Sequence, residues 1–66
     1  MYNYDYLRIA RESKGYSTYK AAELMHMDQA NYWKMETGHY QNIPLKKLKL
    51  LHEVLGVDLY HLLNIQ

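Results

Sequence analysis

The sequence predicts an all-α domain of five short helices, and three observations point to it. Apolar residues recur at spacings of three and four through most of the chain. Each of the three glycines, Gly15, Gly38 and Gly56, stands just past a helix-length segment, where a left-handed residue closes a helix without a Cβ clash. The β-branched residues number only seven, and no stretch alternates apolar with polar side chains as a half-buried strand does.

The first helix is expected over Tyr4–Lys14. Asn3 is its N-cap, Tyr4, Leu7 and Ala10 share one face, and Arg11 and Lys14 lie further along. Ser17 caps a second helix with Ala21, Ala22, Leu24 and Met25 as its apolar residues. Asp28 caps a third, with Tyr32 and Met35 facing inward and Gly38 closing it. A loop from His39 to Ile43 leads to a fourth helix over Pro44–Leu55, because a proline's missing N–H costs nothing in a first turn. Its stripe is Leu45, Leu48, Leu51, His52 and Leu55. Asp58 caps a short fifth helix carrying Leu59, Leu62 and Leu63. No repeat, linker or low-complexity segment divides the chain, so residues 1–66 read as one domain.

Composition excludes several function classes. Sixty-six residues are near the lower limit at which a hydrophobic core holds a fold unaided. The absence of cysteine excludes disulfides and Cys-ligated zinc or iron–sulfur sites. No apolar run approaches the roughly 18–20 residues that span a bilayer. The opening MYNYDYLR lacks the basic and apolar regions of a signal peptide, so a soluble cytoplasmic domain is expected. Catalysis finds no support. Of the four histidines, at 26, 39, 52 and 61, none has a metal-ligand spacing to another; His52-Glu53 begins like a zinc-protease motif, but Gly56 stands where the second His belongs. No Gly-rich phosphate loop and no Ser/His/Asp set is present, so no enzymatic activity, cofactor or metal is expected. Met25, Met27 and Met35 have core spacing and read as packing. The net charge of +1 and pI of about 8.0 are below the pI of about 9 usual for nucleic-acid binding, so any such function has to come from pattern.

That pattern lies in Ser17–Gly38. Two short helices meet across a turn at His26–Asp28, and small Ala21 and Ala22 let them cross closely. This is the geometry of a helix-turn-helix, whose second helix is held outward to enter a major groove. Its outward residues are Gln29, Ala30, Asn31, Trp33, Lys34 and Thr37. Gln pairs bidentately with adenine, Lys donates to guanine O6/N7, and Ala touches a thymine methyl; the plain alternative is a solvated polar face. Trp33 there packs on sugar or methyl groups, covers an apolar seam, or meets a protein partner. Thr18 opens the first motif helix, where a hydroxyl and free N–H groups can meet a phosphate. Lys46 and Lys47 stand in the first turn of the fourth helix against its dipole, a placement that suits a nearby anion or merely a solubilising basic turn.

The stretch GYSTYKAAELMHMDQANYWKMETG, followed by LKLLHEVLGVDLYHLL, resembles the lambda-repressor and Cro class of helix-turn-helix regulators from about Leu7 to Leu63. Ala22 matches the class's small residue in the first motif helix, and Tyr32 and Met35 match its buried recognition-helix positions. Glu36-Thr37-Gly38 matches its Glu-x-Gly ending and Leu55-Gly56-Val57-Asp58 its Leu-Gly-Val-Ser/Asp junction. Three features depart from the pattern. His26 stands where Gly is usual in the turn, Tyr32 replaces a smaller aliphatic, and the His39–Pro44 loop is one residue longer than the commonest form. The motif also lacks arginine in its recognition helix: Lys20 and Lys34 face Glu23, Asp28 and Glu36.

The resemblance implies a five-helix DNA-binding domain. It implies base reading by Gln29, Ala30, Trp33 and Lys34, and backbone contacts by Thr37, His39, Gln41 and Asn42. It implies that Arg11 pairs with Glu36 to brace the recognition helix, and that a homodimer surface after the fourth helix uses Val57, Leu59, Tyr60 and Ile65; those last residues could equally be C-terminal core. The implied function is a sequence-specific regulator of transcription on double-stranded DNA, Cro-like, dimeric on a palindromic operator, and without an appended sensing domain because the chain ends just after the fifth helix. The alternative is an antirepressor-like module that binds another regulator with the same fold, favoured by the low net charge, Trp33 and the tyrosine-rich start.

Overall fold

The computed structural model describes residues 2–40 and 42–64. These form five helices and no strand: α1 (Tyr4–Ser13), α2 (Thr18–Leu24), α3 (Gln29–Glu36), α4 (Leu45–Leu55) and α5 (Leu59–Leu62). Four N-termini are closed by the side chains expected. Asn3, Ser17, Asp28 and Asp58 accept hydrogen bonds from the N–H groups of Tyr6, Lys20, Asn31 and Tyr60. Pro44 is the N-cap of α4, one residue earlier than a first helical position, and makes no side-chain cap bond.

The helix ends explain the three glycines and one departure. After α3, Gly38 takes φ +88° and His39 N–H reaches back to the Lys34 carbonyl at 2.9 Å. A Cβ at Gly38 would stand 3.3 Å from the Tyr4 ring, so this corner also needs a glycine for close approach. After α2 the same turn is made without glycine. His26 takes φ +57° and donates its N–H to the Glu23 carbonyl, while Met27 N–H reaches Ala22 at 2.9 Å. A non-glycine there costs about 1 kcal/mol. The Met25 carbonyl at that end accepts from Lys47 Nζ of α4 at 2.8 Å.

Leu7, Met25, Tyr32, Met35, Leu51, Leu55, Val57 and Leu62 are fully buried and form one core with Ala21 and Ala22. α2 packs on α3, and α1 touches both α3 and α5. The buried stripe of α4 is narrower than its leucine spacing suggested. Leu45 is 70% exposed because it stands in the first turn, before the helix reaches the core, and His52 is also exposed. His52 instead donates from Nδ1 to the Val57 carbonyl at 3.0 Å, tying the end of α4 to the turn after it.

The tyrosine-rich start is internal scaffolding. Tyr2 Oη accepts from Ile43 N–H at 2.9 Å, Tyr4 Oη donates to the Tyr40 carbonyl at 2.7 Å, and Tyr6 Oη accepts from Asp58 N–H at 2.8 Å. Asn3 N–H donates to the Leu62 carbonyl at 2.7 Å. The Tyr2 and Tyr6 rings pack against the core, the Tyr4 ring lies edge-on to Tyr2, and each hydroxyl ties the N-terminus to a different distant segment. The clustering of these tyrosines thus has an internal reason, although the three residues stay partly exposed.

Candidate nucleic-acid interface

α3 is held from one side only. Tyr32, Met35 and Glu36 are buried, whereas Gln29, Ala30, Asn31, Trp33 and Lys34 are exposed. At 3.6 residues per turn, Ala30, Trp33, Lys34 and Thr37 make one outward stripe, with Gln29 and Asn31 at its two flanks.

The inner side is locked to α1 by charge. Arg11 Nε donates to Glu36 Oε2 at 2.8 Å and Arg11 Nη2 to Glu36 Oε1 at 3.0 Å, a two-pronged pair. Arg11 Nη1 donates to the Tyr16 carbonyl at 2.7 Å. Arg11 is 9% exposed and Glu36 7%. The hydrogen bonds it donates to Glu36 raise the Arg11 guanidinium above its already high ordinary value, against the opposing effect of burial. Beside the pair lies the Tyr32 hydroxyl, which is buried without a hydrogen-bond partner. Burial first, and the nearby Glu36 carboxylate second, push this phenol well above its ordinary range, so it stays neutral. The sequence resemblance placed Arg11 against Glu36, and the structure brings them together.

The outer side is partly pre-arranged. Gln29 Nε2 donates to Thr18 Oγ1 at 3.1 Å, tying the first residue of α3 to the first of α2. One amide hydrogen and the amide oxygen of Gln29 remain for a base edge. Asn31 is less free than its position suggested, since its Nδ2 donates to Asp28 Oδ2 at 3.2 Å. The Lys34 ammonium has no ion pair or hydrogen bond with any described residue, whereas Lys20 on α2 pairs with Glu23 at 3.0 Å. Thr37 Oγ1 donates to the Trp33 carbonyl at 2.6 Å and lies 3.0 Å from His39 Nδ1. Since a hydroxyl has one proton, His39 Nδ1 is the donor in that second bond, and the ring packs at 5.5 Å on Trp33. Sequence reasoning missed this Trp33–Thr37–His39 unit, although the spacing of 33 and 37 on one helical face was a signal for it.

Around the motif, Thr18, Thr37, His39, Asn42 and Lys46 stand with accessible side chains. Lys46, like Lys34, is without a partner among the described residues, while Lys47 is committed to the Met25 carbonyl. The structure thus gives Lys47 an internal role at the turn, which uses one of its three ammonium hydrogens, beside the phosphate contact expected of it. Gln41 and Ile65 lie outside the described residues. Of the residues expected at a dimer contact, Tyr60 is 69% exposed and Leu59 is half-buried. Val57 is wholly enclosed: it follows the Gly56 turn into the core and offers no surface to a second chain.

Among the described residues no group of three His, Cys, Asp or Glu side chains could hold a metal ion, and no helix is long and apolar enough to cross a membrane. A family model described as helix-turn-helix matches residues 7–62, which is most of the chain. No curated protein and no solved structure gives a significant match.

Proposed function

This chain belongs to the lambda-repressor/Cro-like helix-turn-helix family, a family of DNA-binding transcription regulators, and we propose that it is a sequence-specific repressor acting as a symmetric dimer on a palindromic operator. The observation that carries the reading is the two-sided character of α3. Its inner side is fixed by the Arg11–Glu36 pair and two enclosed core residues, and its outer stripe is free. A helix about 10–12 Å across fits a major groove about 12 Å wide.

In this reading Gln29 and Lys34 bind base edges and Ala30 and Trp33 supply apolar contact, with Asn31 at the margin. Thr18, Thr37, His39, Asn42 and Lys46 hold the sugar–phosphate backbone. His39 donates to a phosphate through Nε2 only when its ring is fully protonated, because Nδ1 already carries the proton it gives to Thr37. Lys46 and Lys47 separate cleanly. Lys46→Ala is expected to weaken operator and random DNA alike and to lower the salt slope by about one. Lys47→Ala is expected to cost about 1 kcal/mol of stability, because the Met25 carbonyl loses its partner. Binding isotherms over a salt series, beside thermal unfolding, check both.

The dimer is supported by size. The domain measures 31 × 23 × 19 Å, and successive faces of the major groove are about 34 Å apart, so one chain offers one recognition helix per turn of DNA. Tyr60 and Leu59 are the described residues through which a second chain would be met. Selection of bound sequences from random duplexes tests the whole reading. The expected site is two-fold symmetric and holds two chains. A site without symmetry, holding one chain, contradicts the dimer.

The second reading, an antirepressor-like protein binder, draws on the half-exposed Trp33 and the net charge of +1. Selection that enriches no sequence would favour it.

A further inference from the structure

Trp33 is a large apolar side chain, 50% exposed, on a face whose other long side chains are polar. It is not loose. The Thr37 hydroxyl fixes its carbonyl, and the His39 ring packs on the indole with 30° between the planes. The indole is therefore in place before a ligand arrives, which lowers the ordering cost of using it. Ala30 stands three residues earlier on the same stripe, and Gln29, Ala30, Trp33 and Lys34 line one shallow, largely apolar concavity. An amide and an unpartnered ammonium stand at its rim. Ala30 and Trp33 are the only apolar side chains exposed on α3, too little for the broad buried centre of a protein interface. The concavity suits a small apolar group set among hydrogen-bonding edges. The major groove displays one such group, the C5-methyl of a pyrimidine.

We propose that the Ala30–Trp33 concavity seats the C5-methyl group of a pyrimidine, thymine or 5-methylcytosine, while Gln29 and Lys34 bind the polar edges beside it. This rests on the DNA-reading function proposed above. Trp33 is then a specificity-determining residue. His39 and Thr37 act through it as positioning residues.

The test deletes or adds one methyl group at a time. In the site recovered by selection, each thymine is replaced in turn by uracil and each cytosine by 5-methylcytosine. Affinity is measured for the wild type and Trp33→Ala, with random duplex as reference. At one position per half-site, loss of the methyl is expected to weaken the wild type about fourfold, the ratio for one buried methyl group. Trp33→Ala, weaker overall, is expected to ignore the same replacement, and Trp33→Leu to retain part of the sensitivity. A similar gain at a single 5-methylcytosine, also lost in Trp33→Ala, assigns the methyl to modified cytosine and makes the chain a reader of DNA methylation. The proposal is overturned if the wild type ignores every replacement, or if Trp33→Ala responds as strongly as the wild type. In both cases preference for the selected site over random duplex still upholds DNA reading. If the wild type binds no duplex at all, the DNA-reading function falls and this proposal with it.

Discussion

Arg11→Met is expected to lower the free energy of unfolding by about 3 kcal/mol, because it strands the Glu36 carboxylate in a nearly dry site. It also leaves the Tyr16 carbonyl without its 2.7 Å donor. A core of this size rarely supplies more than about 3–5 kcal/mol in total, so the variant should sit close to its unfolding midpoint at room temperature. DNA affinity should fall with it, since the pair sets how α3 stands on α1. Glu36→Gln keeps the shape and one acceptor and should cost less. Urea unfolding of the two single variants and the double variant closes a double-mutant cycle. A coupling of about 1 kcal/mol or more is expected for a close, buried pair; purely additive effects would mean that the two residues do not act as a brace.

Gln29→Ala combined with Lys34→Ala is expected to collapse the preference for operator over random DNA. Each base contact contributes about 1–3 kcal/mol of discrimination, so the pair together is worth about two to four orders of magnitude in the affinity ratio. Both side chains are exposed, and the one internal bond lost is Gln29 to Thr18, so stability should change by less than about 1 kcal/mol. Affinity for random DNA should fall much less than affinity for the operator. The ratio is read from parallel titrations at one salt concentration, because phosphate contacts make either affinity alone uninterpretable. An unchanged ratio would remove Gln29 and Lys34 from the reading surface.

Much of the fold was legible because caps and closing residues act locally. Asn3, Ser17, Asp28 and Asp58 announce helix starts through their own side chains, and the glycines announce ends through their own backbones. Tyr32 and Met35 were legible as a helical pair, and both are enclosed. What escaped depends on contacts between distant segments. Leu45 has the spacing of a core residue but stands in a turn of α4 that the core does not reach. Val57 reads either as part of a dimer contact or as C-terminal core, and the chain folds it into the core. The hydroxyls of Tyr2, Tyr4 and Tyr6 meet backbone groups 36 to 52 residues away, which no local pattern encodes. The internal bond of Lys47 was not legible because its partner, the Met25 carbonyl, lies at the end of another helix. At the site, the outward stripe of α3 followed from helical period, while the engagement of Asn31 by Asp28 and the packing of the His39 ring against Trp33 required the folded chain.

The central claim is that the outer stripe of α3 faces duplex DNA. Its most direct measurement is a titration of the wild-type chain onto random and selected duplexes across a salt series. The account predicts binding to both at low salt, with log affinity falling linearly as log salt rises, and a gap in favour of the selected site that persists at every salt concentration. Failure to bind either duplex at low salt, by a chain with its helix content intact, would contradict it.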